Sequence, residues 1–457
     1  MKKGIFGAEI TVLRDTFRRL IRRHAKTNII KLIDKTHPAD MALTFRYFTD
    51  DEQDLIFQSM GSSERTVEFL NELYESTAIR LLENDSSERI ASILQQASSN
   101  EQAYLMGLVN EKFANSVIEL LQADEKEQLE EMMAYPDDSA GILMYTDVFT
   151  LHEETKAKEA INALQDQDDA EMVFYLYALD DDGRLTGVIS LRELVITPGD
   201  TNLKDIMSRQ VHAVRPETDQ EEVAKIVSQY NFLAVPVVDS EEKLLGIVTV
   251  DDVVDVIREE ATEDFLQMVG AGKDREILLK SSWENARSRL PWLFASWIGG
   301  ILAAFIIGFF DGILEKSIAL AAFIPVIIGM GGNVGTQSST LIVRGLATGR
   351  VNIENSFKVL FKEIRVGLIL GILYGILLGV FAAIRFIDMP PTLGIVVGSS
   401  ICLSMLIAAT IGSVVPIILD RFDVDPAIAT GPFVTTAIDI LGVALYFIIA
   451  GTLLTSI

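Results

Sequence analysis

The pattern of polar and apolar positions divides the chain into two parts. Up to about residue 136, apolar residues recur at spacings of three and four, as in Leu13, Phe17, Leu20 and Ile21. That spacing places them on one face of a helix. From residue 290 onward, long uncharged runs replace this periodicity. The pattern therefore predicts short amphipathic helices first and membrane-spanning helices last.

Polar breaks interrupt the amphipathic region at 36–38, 61–63, 84–87 and 98–100. Each break contains Ser, Thr, Asn or Asp, which are residues that cap the start of a following helix. We therefore predict that residues 1–136 form a helical N-terminal domain whose short helices stack as a superhelix.

A duplicated unit follows the helical region. Residues 180–190 lead into Leu191–Leu194 in the first copy, and residues 239–249 lead in the same way into Val250–Val253 in the second. Each copy predicts a strand, a helix, an apolar strand, a turn, a strand and a helix. The duplication resembles a tandem pair of α/β CBS domains, at residues 137–199 and 200–260. Such pairs are usually regulatory sensors for nucleotides or ions.

Five apolar stretches exceed or approach the length of about 20 residues that a helix needs to cross a bilayer. They run over residues 290–310, 317–343, 366–384, 389–419 and 425–457. We predict an all-α transmembrane domain of five helices over residues 290–457. A charged connector, predicted as a helix over residues 261–289, joins it to the CBS pair.

Charge is unevenly distributed along the 457 residues. The chain carries 65 Asp and Glu against 39 Lys and Arg, for a net charge of −26, and the acidic excess lies before residue 286. An acidic surface disfavours nucleic acid and attracts cations. The single cysteine, Cys402, excludes an internal disulfide.

Basic residues lie mainly on one side of the predicted spans. They occur on the connector, in the segment 344–365 and at Arg421, whereas the opposite loops carry only Lys316 and Arg385. Positively charged loops stay in the cytoplasm. We therefore predict a multi-pass protein of the plasma membrane with a cytoplasmic N-terminal half and an outer C-terminus.

After Asp425, the fifth span contains one charged residue, Asp439. A carboxylate inside a bilayer is costly and normally faces a bundle interior or a water-filled path. Thr435 and Thr436 lie one turn before it and Gly442 lies one turn after it, as expected for a face turned toward other helices or water. We interpret Asp439 as a point that a cation passes. The alternative is a structural carboxylate bonded to Ser or Thr of a neighbouring helix.

The second span is too polar and glycine-rich for a helix that faces lipid. Irregular or polar segments at membrane depth occur inside protein or along a water path. The predicted pore-lining residues are Gly331, Gly332, Asn333, Gly335, Thr336 and Gln337. The alternative is close glycine-mediated packing of helices, and both interpretations can hold together.

Three other classes of protein fit the sequence less well. An intramembrane metalloprotease needs histidine ligands in a span, but His24, His37, His152 and His212 all precede the spans and no His-Glu-x-x-His motif occurs. A sensor or scaffold without transport leaves Asp439 unexplained. A CBS-gated anion channel conflicts with an acid in the pore.

The order of a helical domain, a CBS pair, a connector and five spans resembles the MgtE family of magnesium channels and transporters. Its motifs here are the second-span run 331–338, Asp425-Pro426-Ala427 followed by Asp439, and the segment 246–264. The resemblance implies a homodimer that is not an enzyme, with one pore on the two-fold axis, lined by the second and fifth spans. It implies magnesium uptake, with passage of Co²⁺ or other divalent cations, and it makes Asp439 the pore carboxylate and Asp425 the carboxylate of the cytoplasmic mouth.

The resemblance also implies feedback closure by intracellular Mg²⁺, which would bind between the N-domain, the CBS pair and the connector. The aligned regulatory positions are Asp219, Glu221, Asp252, Asp255, Glu260, Glu263 and Asp264, with Gly141 as a backbone contributor. Asn231 stands where an acid is expected and adds no charge. The resemblance further implies an ATP site contacted by Tyr175, Arg192 and Phe232.

Overall fold

The computed structural model describes residues 5–166, 174–272, 274, 276–277, 280–352, 355–422 and 424–454. The chain divides into two compact units, Met1–Ile257 and Arg258–Ile457. The first unit contains the N-terminal helices and the CBS pair, and the second contains the long apolar helices. The start of the strand predicted at 173–178, and Lys273 and Arg275 of the connector, lie outside the described residues.

Ten short helices build the N-terminal domain. They are α1 (Ile5–Arg22), α2 (Lys26–Lys35), α3 (Pro38–Phe45), α4 (Asp50–Gln58), α5 (Glu64–Asn71), α6 (Glu75–Glu83), α7 (Ser87–Leu94), α8 (Ser99–Leu108), α9 (Glu111–Ile118) and α10 (Ala123–Met132). The predicted breaks are confirmed, because His37, Ser63, Ser86 and Ser98 are the N-cap residues of the helices that follow them. Alternate helices pack on one another, from α1 through α9, which agrees with the predicted superhelical stacking.

The first CBS copy forms a three-stranded sheet in which β1 (Thr150–His152) runs parallel to β2 (Tyr175–Leu179), and β3 (Leu185–Ser190) is antiparallel to β2. Its helices are α11 (Ala140–Leu143), α12 (Ala157–Gln165) and α13 (Leu191–Ile196). A short 3-10 helix, Leu203–Asp205, connects it to the second copy.

The second copy contains α14 (Gln220–Tyr230), β4 (Ala234–Val238), β5 (Leu244–Thr249) and α15 (Val250–Met268). β4 and β5 pair antiparallel. The additional first strand predicted here is reduced to one bridge between Val214 and Val237. Pro216 follows closely and has no N–H to continue a ladder, which explains why the strand stops.

The buried apolar residues of the first unit form separate cores. The largest runs from Phe17 in the N-terminal helices through to Val253 and Val256 in the second CBS copy. The first CBS copy has its own core around Leu176, Ile189 and other small-to-medium side chains. The N-terminal helices and the second CBS copy therefore share one continuous interior.

The connector is not the single helix predicted over residues 261–289. Helix α15 ends at Met268, where Gly270 adopts a left-handed φ of 68°. The Gly270 N–H donates to the Gln267 carbonyl at 2.9 Å, and the Ala271 N–H donates to the Leu266 carbonyl at 2.8 Å. These two bonds form a Schellman motif, which ends a helix and favours glycine. The next helix begins only at Ser282.

The predicted five spans are confirmed as long apolar helices. They are α16 (Ser282–Phe309), α18 (Ile324–Ala347), preceded by the 3-10 turn Ile318–Phe323, α19 (Ser356–Arg385), α20 (Thr392–Arg421) and α21 (Pro432–Leu454). A short helix, α17 (Asp311–Lys316), connects the first span to the second. Most helices extend beyond the uncharged stretches because their ends carry polar and basic residues.

Glycines allow the membrane helices to approach closely. On α19, glycines recur every fourth residue from Gly367 to Gly379 and face α20. A Cβ added at Gly375 would lie 2.6 Å from the Gly398 carbonyl oxygen, and one added at Gly412 would lie 2.3 Å from the Gly335 carbonyl oxygen. Any side chain at these positions would therefore force the helices apart.

Candidate ion pathway, regulatory acids and nucleotide cavity

Asp439 lies half-buried on α21, opposite the glycine-rich part of α18. Its Oδ1 lies 3.9 Å from the point where a Cβ on Gly332 would be. Within the described ranges, no hydrogen bond or ion pair satisfies this carboxylate. The structure therefore does not support the alternative, in which Asp439 is a structural carboxylate bonded to Ser or Thr of a neighbouring helix.

The polar residues of α18 are divided between two faces. Asn333 and Gln337 are exposed, one helical turn apart, and Gly332 and Thr336 lie half-buried beside them. This strip, comprising Gly332, Asn333, Thr336 and Gln337, is called the polar face of α18. Asp439 lies beside it at Gly332. A hydrated cation would find amide, hydroxyl and carboxylate oxygens together there.

Gly331 and Gly335 differ from the other four predicted pore-lining residues because they are buried between helices. A Cβ at Gly331 would lie 2.9 Å from the Ser404 Oγ, and one at Gly335 would lie 2.0 Å from the Ile438 Cδ1. These two glycines therefore serve close packing of helices, which is the alternative to a pore-lining role. They bring α18 against α20 and α21, and the exposed Asn333 and Gln337 of the polar face lie outside this contact.

Asp425 begins the short segment that leads into α21. It is half-buried, and its Oδ1 accepts a hydrogen bond from the Ala427 N–H at 2.8 Å, which caps the 3-10 helix Pro426–Ala429. One carboxylate oxygen of Asp425 is thus engaged in a helix cap, and this bond fixes the side chain at the entrance to the fifth span.

The end of helix α15 packs against the start of α21. A Cβ at Gly431 would lie 3.4 Å from the Met268 carbonyl oxygen, and one at Gly270 would lie 3.5 Å from the Pro432 ring. The Schellman turn that ends α15 therefore contacts the residues from which the Asp439 helix begins.

Two predicted regulatory residues, Asp219 and Gly141, lie together in the CBS pair. Asp219 caps α14 by accepting from the Glu221 N–H at 2.8 Å, and it bridges to Ser139 through the backbone. The Gly141 N–H donates to the Pro216 carbonyl at 2.8 Å, and a Cβ there would collide with the Tyr135 ring. Glu221 is half-buried, and its carboxylate lies 3.4 Å from the Lys225 ammonium.

Asp252 is the most enclosed of the predicted regulatory acids. Thr249 donates to its Oδ2 at 2.5 Å, and the Asn100 amide of the N-terminal domain donates to its Oδ1 at 3.3 Å. Burial raises the pKa of Asp252 above its ordinary value. The ionised form is therefore destabilised in the folded state, and this cost grows as the pH rises through the raised pKa. A bound cation would relieve it.

The remaining regulatory acids follow one another along α15, at Asp255, Glu260, Glu263 and Asp264. Glu263 accepts a hydrogen bond from the Gln267 amide at 3.1 Å. No group of three His, Cys, Asp or Glu able to hold a metal ion occurs among the residues described in this single chain. The structure thus brings Asp219 and Gly141 together but does not assemble the predicted acids into one site.

Asn231 has a backbone role that explains its identity. It ends α14 in the left-handed conformation, with φ 54° and ψ 43°, and its N–H bonds the Val227 carbonyl. Asparagine tolerates this conformation better than most residues with a side chain. The family resemblance predicts an acid at this position, whereas the structure shows an asparagine that ends the helix.

A cavity of about 300 Å³ lies between the two CBS copies. Tyr175 and Phe232 line it, as predicted for a nucleotide site, together with Ser190 and Glu193. Arg192 is exposed on α13 beside Glu193. Two of the three predicted ATP contacts, Tyr175 and Phe232, therefore line one cavity. The third, Arg192, does not line it but precedes the lining residue Glu193 in the sequence.

Two features of this cavity were missed from the sequence. His212 and Phe232 line the cavity, and Tyr230 lies next to both of them outside the lining, with its ring centroid 4.3 Å from that of His212 and 5.3 Å from that of Phe232. Tyr177 also lines the cavity; its buried hydroxyl has no hydrogen-bond partner in the described structure, and burial raises the pKa of its phenol. An aromatic stack and an unsatisfied hydroxyl both favour a planar polar ligand.

A buried acid on α19 was also missed. Glu363 is 7 % exposed and accepts a hydrogen bond of 2.9 Å from Ser338, which is 3 % exposed on α18. In the sequence, Glu363 lies between Lys362 and Arg365 and looks like part of a solvated helix end.

Comparison with known families agrees with this architecture. Residues 324–449 match the family described as a divalent cation transporter, MgtE, and residues 36–138 match the MgtE intracellular N domain. Residues 140–197 and 203–259 match CBS domains.

Two curated relatives and one solved structure extend the comparison. The chain is 32 % identical over 427 residues to the magnesium transporter MgtE of Bacillus subtilis, covering 93 % of this chain and 94 % of the relative. It is 36 % identical over 375 residues to that of Thermus thermophilus, covering 81 % and 80 %. The cytosolic domain of the Mg²⁺ channel MgtE in complex with ATP matches with a TM-score of 0.51 and 29 % identity, covering 53 % of this chain and 99 % of that one.

The five apolar helices and the CBS pair are those of a multi-pass membrane protein with a CBS module, and the match to the divalent cation transporter family makes it a transport protein, not an enzyme. With relatives above 30 % identity over most of its length, the chain belongs to the MgtE family of magnesium transporters.

Proposed function

We propose that the protein takes up Mg²⁺ along a path lined by α18 and α21 in which Asp439 is the selecting carboxylate. One observation carries this proposal: the Asp439 carboxylate has no hydrogen-bond or ion-pair partner among the described residues and lies against the polar face of α18 at Gly332. An unpaired acid at membrane depth is a functional residue by default. The neighbouring glycine leaves room for water around it.

The chemistry of the ion supports a homodimer. Mg²⁺ holds its waters tightly and binds proteins through one or two carboxylates, with waters filling the remaining positions. Two copies of Asp439 on opposite sides of a two-fold axis would supply two carboxylates to one hydrated ion. The exposed polar face, with Asn333 and Gln337, would line the rest of the path. Co²⁺ has similar octahedral hydration and would pass as well.

Feedback closure is the regulatory part of the proposal. The acids on α14 and α15 repel one another when no cation is bound, and Mg²⁺ would bridge them between domains or copies. The contact of Gly270 with Pro432 supports transmission of that change to α21. Asp425, at the entrance to the same helix, would sit at the cytoplasmic mouth. The C-terminus then lies outside the plasma membrane.

Uptake of a radioactive magnesium tracer into liposomes containing the purified full chain tests this function. We expect uptake well above that of empty liposomes, and loading the cytoplasmic side with millimolar Mg²⁺ should suppress it. Asp252→Asn should need more Mg²⁺ for the same suppression, because one buried charge that the ion compensates is removed. Uptake no greater than in empty liposomes would contradict the proposal, and equal suppression in both proteins would remove Asp252 from it.

We further propose that ATP binds in the cavity between the CBS copies. The related cytosolic domain of the Mg²⁺ channel MgtE was solved with ATP. In this chain, the His212 and Phe232 rings line the cavity with their centroids 5.6 Å apart and offer a surface for the adenine base. The unpartnered Tyr177 hydroxyl supplies a hydrogen-bonding group on the cavity wall.

Phe232→Ala should weaken ATP binding about tenfold or more, because stacking of a base on an aromatic side chain contributes roughly 1–3 kcal/mol. Isothermal titration calorimetry on the full chain measures the change. Tyr74→Ala is the control, since Tyr74 is 42 % exposed on the N-terminal domain and its removal should leave affinity unchanged. Unchanged binding in Phe232→Ala would show that ATP, if it binds, does not use this cavity.

A further inference from the structure

Glu363 is a buried acid in the membrane unit that the pathway described above does not use. It lies on α19 and is 7 % exposed. Its carboxylate accepts one hydrogen bond, from the Ser338 hydroxyl of α18 at 2.9 Å. Among the residues that the structure describes, no cation pairs with it. A buried carboxylate without a counter-ion is costly, so its retention calls for an explanation.

The hydrogen bond places the carboxylate beside the helix that carries the polar face. Ser338 immediately follows Gln337, so the two side chains leave α18 about 100° apart. Gln337 is exposed and Ser338 is buried. The carboxylate of Glu363 therefore lies on the flank of α18, within about one helix diameter of the polar face.

A buried charge acts over this distance because there is little water to screen it. Coulomb interactions are several times stronger within protein than in bulk water, and a divalent cation experiences twice the effect of a monovalent one. A carboxylate beside α18 would thus attract an ion on the polar face without touching it.

We propose that Glu363 is a second acid of the ion pathway, held by Ser338 beside the pore helix to raise the occupancy of Mg²⁺ through its charge. This inference rests on the proposed transport function. It assigns Glu363 an electrostatic role distinct from ligation, and it assigns Ser338 the role of a positioning residue.

The test separates the charge of Glu363 from its hydrogen bond. Glu363→Gln keeps the size and an oxygen that accepts from Ser338 but removes the charge. We expect the Mg²⁺ concentration for half-maximal uptake to rise on the order of tenfold, with the maximal rate largely retained. Glu363→Asp, which keeps the charge, should stay near the wild-type value. Ser338→Ala should raise it about twofold, because the charge remains but is less firmly placed.

Asp388→Asn provides the control, because Asp388 is an exposed acid of the same unit, and its half-maximal concentration should match that of the wild type. An unchanged half-maximal concentration in Glu363→Gln would overturn the inference, whatever the maximal rate. An equal shift in Glu363→Asp and Glu363→Gln would assign the residue to helix packing alone. No uptake by the wild-type protein would instead contradict the transport function itself.

Discussion

Replacing Asp439 with Asn should reduce Mg²⁺ uptake at least about 100-fold, although the side chain keeps its size. The substitution removes the only charge in the apolar helix α21, and in a homodimer it removes two charges from one site. Loss of roughly 3 kcal/mol of attraction for a divalent ion corresponds to a change of this magnitude. Tracer uptake into liposomes measures the effect directly.

Two controls make the result interpretable. Asp388→Asn removes an exposed carboxylate of the same unit and should leave uptake unchanged. Size-exclusion chromatography of the Asp439 variant should give the wild-type elution volume, which excludes misassembly. Wild-type uptake in Asp439→Asn would mean that ions are selected elsewhere, and uptake of anions by the variant would favour a different class of channel.

Gly412→Ala should destabilise the membrane unit strongly. A methyl group at this position would lie 2.3 Å from the Gly335 carbonyl oxygen, which belongs to the backbone of α18 and cannot rotate away. The helices would have to separate, at a cost of about 3 kcal/mol, which is the upper range for overpacking in a close-packed interior. We expect a clear fall in the thermal unfolding midpoint of the full chain in lipid nanodiscs.

Gly300→Ala is the matched control for this substitution. Gly300 also lies within a membrane helix, but a Cβ there meets no atom within 4 Å. Alanine favours helix more than glycine does, so the control should be neutral or slightly stabilising. Equal midpoints for the two variants would mean that α18 and α20 tolerate a wider separation than the close contact implies. Reduced Mg²⁺ uptake in Gly412→Ala would show that the close spacing of α18 and α20 also positions the polar face of α18.

Features whose chemistry contrasts with that of the neighbouring residues could be predicted from the sequence alone. Asp439 stands out because it is the one charge in a long apolar run, and the polar face stands out because Asn333 and Gln337 interrupt another. Helix starts at His37 and Ser98 were predictable because capping depends on a few adjacent residues. The strands at Ala234–Val238 and Leu244–Thr249 were predictable from their apolar composition between turn residues.

Features that depend on a partner in the fold were not predictable in this way. Glu363 resembles a solvated acid beside two basic residues until Ser338 of another helix is placed against it. The stack of His212 and Tyr230 joins residues that are separated along the chain by helix α14. Some glycines of the second span pack against other helices and one lies on the polar face. The sequence alone does not separate these two groups, because the separation depends on where α20 and α21 lie.

The prediction of one continuous connector helix was wrong, although the residues that end the helix are visible in the local sequence. Gly270 and Gly272 both have positive φ, and two glycines within a charged segment favour a helix end over a continuous helix. The regulatory acids present the opposite case. Their spacing along α15 was clear, but no single chain shows which of them share an ion, because the predicted sites lie between domains or between copies.

The shared interior of the N-terminal helices and the second CBS copy has a consequence for folding. Apolar contacts run without interruption from Phe17 to Val256, whereas the first CBS copy closes a separate core. Cooperative units follow such cores more closely than they follow sequence repeats. The two halves of the duplication, although alike in sequence, should therefore exchange amide hydrogens at different rates. The second half should be protected together with helices that precede it by more than a hundred residues, and the first half should open by itself.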